Sequence, residues 1–128
     1  MRSIFVNLPV RDVAAARAFF TAVGFQFCED FGDPTCACLV VDANAFVLLL
    51  AADRFRRYVD REPGDPARTE VVTAVSAASR AEVDAIVARA VAAGGTGWRS
   101  SYQENGVYAG GFRDLDGHAW EVVHVSAG

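Results

Sequence analysis

The chain has 128 residues, room for one domain with a single good core, and at 52% hydrophobic and 22% charged with nine Phe it reads as globular rather than disordered. Its formal charge is −4 with no block of like charges, which argues against nucleic acid as a partner because phosphate binding wants a basic face. All twelve basic residues are Arg, a pattern that with the abundant Ala reflects genomic bias rather than function.

The opening "MRSIFVNLPV" carries one Arg and a short apolar run broken by Asn7 and Pro9, so neither a secretory signal nor a membrane span is expected there. Residues 2–10 alternate as a strand, with Ile4, Val6, Leu8 and Val10 on one face and Phe5 and Asn7 on the other. Asp12 is placed to cap a helix, Val13, Ala16, Phe20 and Val23 give that helix an apolar stripe, and Gly24 ends it. Strands are predicted at 25–31, 36–42 and 45–51. Cys28, Cys36 and Cys38 form no CxxC pair and leave an odd thiol, so reduced cysteines in a cytoplasmic protein are expected. The rival reading, a Cys36/Cys38 thiolate site, would need His or Cys partners that the sequence does not obviously supply.

The segment "DRFRRYVDREPGDPAR" is a polar connector with room for one short helix. The pattern then repeats. Residues 69–77 read as a strand, and "SRAE" at 79–82 fits a capping box. Val83, Ile86, Val87 and Ala90 form the stripe of a second helix that Gly94 and Gly95 end, and strands follow at 97–103, 106–113 and 119–126. Each half is strand, helix, three strands. Leu8, Val10 and Asp12 correspond to Val75, Ala77 and Ser79, and "VDANAFVLLL" lies over "LDGHAWEVVH", matching Asp42 to Asp116, Asn44 to His118 and Phe46 to Trp120. The expected fold class is α+β: two βαβββ modules, residues 1–52 and 69–127 of a single domain, forming a cupped mixed sheet with the helices on its convex face.

Glu121 is the residue that asks for a function. It sits within an apolar strand-like run, "HAWEVV", where an unpartnered buried carboxylate is costly. Asp114, Asp116 and Gly117 suit a tight turn before it, and Trp120 should face the core, opposite Glu121. His118 reads as a turn residue that bonds locally. His124, of opposite parity to Glu121, reads as an edge histidine.

The combination of "NLPVRDVAAARAFFTAVGF" early, "FRDLDGHAWEVV" late and the internal repeat resembles the vicinal oxygen chelate superfamily: glyoxalase I, extradiol dioxygenases, fosfomycin resistance enzymes and bleomycin resistance proteins. The resemblance covers essentially the whole chain. It implies paired βαβββ modules curled around a cup, usually in a dimer, and in the enzymes a divalent metal held by His, Glu, His and Glu from four strands. Carried onto this sequence, the first His position falls on Phe5 and the second on Val72. The first Glu position falls on Val47, or on Leu49 after a slip of two, and only Glu121 is a donor. No metal, cofactor or catalytic residue is therefore assigned, with Glu121 the one candidate for catalysis. Glu121 could instead accept hydrogen bonds from Asn7 or an Arg, pair with a cationic or donating ligand, or act as a general base.

The cup face is expected to collect Phe5, Asn7, Val47, Leu49, Glu70, Val72, Glu121 and Val123, an apolar lining with a few polar groups suited to a small organic ligand. The expected function is that of a bleomycin-resistance-like protein binding a small molecule without chemistry, as a homodimer. A glyoxalase-like lyase or dioxygenase with unusual ligands, and a domain that only self-associates, are the alternatives.

Overall fold

Predicted strands and helices form throughout, with ends set by local chemistry. The computed structural model describes residues 1–126, apart from the side chains of residues 99 and 100; the expected end of the second module at residue 127 lies outside the described residues. The elements are β1 (Ile4–Val10), α1 (Val13–Val23), β2 (Gln26–Asp33), β3 (Cys36–Asp42), β4 (Ala45–Ala51), α2 (Ala52–Tyr58), β5 (Val72–Ser76), α3 (Arg80–Ala92), β6 (Thr96–Glu104), β7 (Val107–Arg113) and β8 (Ala119–Val125). The chain divides into two compact units, Met1–Asp65 and Pro66–Gly128. Each holds one four-stranded mixed sheet, ordered β1-β4-β3-β2 in the first and β5-β8-β7-β6 in the second. The outer pairs β1/β4 and β5/β8 are parallel and the remaining pairs antiparallel.

Helix ends follow from satisfying orphan backbone groups. Asp12, in extended conformation, accepts the Ala15 N–H at 3.0 Å, and Gly24 takes φ 119° so that the Gly24 and Phe25 N–H groups both reach the Phe20 carbonyl. At the second helix the Ser79 hydroxyl accepts the Glu82 N–H at 3.1 Å. The Glu82 carboxylate accepts the Ala78 N–H at 3.0 Å, so the capping box closes one residue earlier than the usual form.

Among the boundaries that differ from expectation, two have a clear local cause. Strand β5 starts only at Val72, because Val72 is opposite Ala119, the first residue of its one neighbour β8. Glu70 therefore lies exposed in a bend before the strand and has no place on the sheet face predicted for it. The β6/β7 connection is a two-residue turn with Asn105 at φ 51° and Gly106 at φ 78°, the Asn-Gly hairpin geometry, so Gly106 belongs to the turn and not to β7.

Registers identify the face each helix covers. The Arg17 guanidinium of α1 lies 5.0 Å from the centre of the Phe27 ring. Phe27 is opposite Leu39, Leu39 opposite Val47, and Val47 opposite Val6, so all four side chains share the α1 face. In the second unit a Cβ on Gly110 would meet Val87 and Val83 of α3 at 3.0 and 3.3 Å, which puts Gly110 and its partner Val122 on the α3 face. Phe20, Val23, Leu39, Val47 and Leu49 are buried in the first unit; Val83, Phe112, Trp120 and Val122 are buried in the second, with Phe112 and Trp120 stacked at 6.2 Å. Each such side chain removed from water contributes about 1.5–3 kcal/mol. No helix among the described residues is long and apolar enough to cross a membrane.

Candidate functional site

The face of each sheet away from its long helix carries the candidate residues. In the first unit it presents Phe5 and Phe46, register partners whose rings stack at 5.1 Å and 13°, together with Asn7 and its partner Leu48. Phe5 is 54% exposed, and the Asn7 side-chain amide donates to the Phe5 carbonyl at 3.2 Å, within its own strand. Val47 and Leu49 are not on this face. They are 2% and 0% exposed beneath α1, and cannot meet a ligand there.

The correction follows from the registers. Leu8 pairs with Leu49 and Val75 with Val122, so with Leu8 equivalent to Val75 the residue matching Glu121 is Leu48, and the one matching Trp120 is Val47. Phe46, set against Trp120 by sequence alignment, instead stacks on the open face. The cause is loop length. Strands β3 and β4 are joined by Ala43 and Asn44 alone, whereas residues 114–118 separate β7 from β8, so aligning Asp42 with Asp116 slid the strand by one residue and reversed its faces.

In the second unit the face away from α3 carries Val72, Ala74, Glu121 and Val123. Glu121 is half-buried between its register partners Ala74 and Gly111. Gly111 explains a residue that the sequence reading passed over. A Cβ there would fall within 2.6 Å of indole atoms of Trp98, so the absent side chain leaves the seat in which the Trp98 ring lies. The Trp98 Nε1 donates to the Trp120 carbonyl at 3.2 Å, fixing the ring against β8 next to Glu121. A glycine within a strand is a signal for such close approach, and the pair Gly110-Gly111 could have raised it. The result is a carboxylate beside an indole on the face away from α3.

The turn before β8 is built by Asp114. Its Oδ1 accepts the Asp116 and His118 N–H groups at 2.9 and 3.0 Å, and its Oδ2 accepts the Trp120 indole N–H at 3.1 Å. Burial pushes the Asp114 carboxyl above its ordinary value, against the lowering effect of His118 and these hydrogen bonds. Gly117 takes φ 84°, as the turn requires. His118 closes the turn through its backbone. The His124 ring nitrogen Nδ1 is 3.1 Å from the Ala77 carbonyl, on the face opposite Glu121.

A divalent ion does not fit the residues present. The positions that the resemblance assigns to metal ligands hold Phe5, Leu48 after correction, Val72 and Glu121: one carboxylate and three hydrocarbon side chains, where such ions take several N or O donors. Among the described residues no group of three or more His, Cys, Asp or Glu side chains is arranged to hold a metal.

Comparison with known proteins gives the fold its relatives. Residues 2–42 match the family model described as bleomycin resistance protein-like N-terminal. No curated protein matches the chain. A glyoxalase/bleomycin resistance protein/dioxygenase family enzyme from Burkholderia phytofirmans PsJN is 22% identical, with a TM-score of 0.80 over 95% of this chain and 97% of that one. A glyoxalase-related enzyme from Fulvimarina pelagi is 19% identical, with a TM-score of 0.81 over 97% and 88%. A lactoylglutathione lyase from Agrobacterium tumefaciens is 21% identical, with a TM-score of 0.70 over 94% and 91%. The chain shares its fold with these solved glyoxalase-related, bleomycin resistance and dioxygenase family proteins.

Proposed function

We propose that this chain binds a small organic molecule on its open sheet faces and leaves it chemically unchanged, in the manner of a resistance protein that sequesters its ligand. The observation that carries this reading is the Trp98 ring seated on Gly111 beside Glu121. An indole and a carboxylate side by side can hold a flat or cationic organic group by stacking and charge, and among the described residues no group of three or more His, Cys, Asp or Glu is arranged to hold a metal. The stacked Phe5 and Phe46 offer a second aromatic surface in the first unit. The lyase or dioxygenase reading draws on the same fold, but fold is shared across chemistries and the donor set does not favour it.

The exposed Ile4, Phe5 and Val72 are apolar surface that assembly as a homodimer would remove from water. Bleomycin is a suitable first probe, titrated against the intrinsic fluorescence of Trp98. Saturable quenching that Trp98→Phe abolishes, with the probe recovered unaltered by mass spectrometry, is the expected result. A new product mass would replace the binding reading with an enzymatic one.

A further inference from the structure

We propose that Cys28 and Cys38 form an oxidisable dithiol, a site at which a hydroperoxide converts two thiols into a disulfide that ties β2 to β3. The two residues are direct partners in the antiparallel β2/β3 pair. Residues opposed in such a pair have Cα atoms about 4.5 or 5.5 Å apart. Both values fall inside the roughly 4.4–6.8 Å that a disulfide spans. Opposed residues share a face, so the two Cβ atoms point the same way, toward the side of the sheet that α1 leaves uncovered.

The third thiol does not compete. Cys36 is two residues from Cys38 along the same strand, about 6.6 Å away with parallel Cβ vectors. That separation exceeds the roughly 4.5 Å upper limit on Cβ separation in a disulfide. Across the strands Cys36 is opposite Asp33 and Leu50, not Cys28.

Exposure divides the labour. Cys28 is half-buried on β2, the outer strand of its sheet, whereas Cys38 is 1% exposed and Cys36 is also buried. Burial pushes the Cys36 and Cys38 thiols up, and for Cys38 the neighbouring Cys28 and Cys36 add to the rise. Cys28 is thus the thiol that an oxidant meets first. The β2/β3 register shifts after the Cys28/Cys38 pair and resumes only at Asp33, so the last paired residue before the irregularity is the one that must adjust when the bond forms.

In the first step the Cys28 sulfur attacks the peroxide, the O–O bond breaks, and Cys28 becomes a sulfenic acid as one water (or alcohol) leaves. In the second, the Cys38 sulfur attacks the Cys28 sulfur and a second water leaves. Two thiols lose two hydrogens and two electrons, and the peroxide gains them. A small-molecule thiol reverses the change by two exchange steps.

The test uses the full chain, reduced and then treated with hydrogen peroxide. Remaining thiols are alkylated in denaturant, and the protein is cleaved at Glu29, Asp30 and Asp33, which lie between the two cysteines. The expected product is a pair of peptides joined through Cys28 and lighter by two hydrogens, with one alkylated cysteine. Cys36→Ser should leave this product unchanged. Cys38→Ser should abolish it and leave Cys28 as a sulfenic acid that dimedone traps. The same oxidation of urea-unfolded protein should scatter the bridges among all three pairs. The proposal is overturned if folded wild-type chain yields only sulfenic acid or intermolecular disulfides, if Cys36→Ser removes the bridge, or if folded and unfolded protein give the same distribution of pairs.

Discussion

Replacing Asp114 separates the work of its two carboxylate oxygens. The side chain is 6% exposed and accepts two backbone N–H groups at one oxygen and the Trp120 indole N–H at the other. Asp114→Asn keeps one carbonyl oxygen for the backbone pair but turns an amide NH₂ toward the indole donor. Stranding the Nε1 of a fully buried Trp costs about 1–3 kcal/mol. Removing a buried carboxylate charge returns part of that. Asp114→Ala strands all three donors and should cost about 3 kcal/mol or more, a large share of a stability of roughly 5–15 kcal/mol. Urea unfolding followed by circular dichroism measures both.

The pH dependence has a definite sign. Because burial raises the folded Asp114 pKa, its contribution is fully present below its ordinary value of 3.8 and is lost as pH rises through the higher folded value. The stability gap between wild type and Asp114→Asn should therefore narrow from acid toward neutral pH. The reasoning fails if the Asn variant matches wild type at both ends, if Ala costs no more than Asn, or if the gap widens with pH.

Other substitutions test single links. Gly111→Ala places a Cβ within 2.6 Å of the Trp98 ring, so the indole must leave its seat; a cost of about 1–3 kcal/mol and a red-shifted tryptophan emission are expected. Asp12→Ala and Ser79→Ala each remove a helix cap and should lower stability by about 0.5–2 kcal/mol, with Gly in place of either costing only a few tenths. Light scattering should return twice the 13.7 kDa chain mass at micromolar concentration, and a value near the chain mass would count against the homodimer.

The order of elements was legible because periodicity and caps act locally. The alternation in "IFVNLPV", the apolar stripe of α1, and the Asp12 and Ser79 caps each depend on a handful of neighbouring residues. The faces of β4 were not legible, since they depend on how many residues the preceding turn spends. Two in one unit and five in the other reverse the parity, and Val47 and Leu49 moved from the open face into the core. Glu70 failed for a non-local reason: a strand ends where its partner does, and β8 begins at Ala119. Glu121 and Val72 were placed on the open face because short-range alternation held through β5 and β8. Trp98 was missed because its position is defined by a glycine on the neighbouring strand, which a reading of one strand at a time does not connect to it.

Metal occupancy measured by native mass spectrometry tests the account most directly, because the binding reading rests on counting donors. The purified chain, incubated with equimolar Ni²⁺ and Zn²⁺ and exchanged into volatile buffer, should show the metal-free mass alone, with the same spectrum for Glu121→Gln. One metal ion per chain in the wild-type protein, absent from Glu121→Gln, would contradict it and make the metal-dependent enzyme the better reading of this fold.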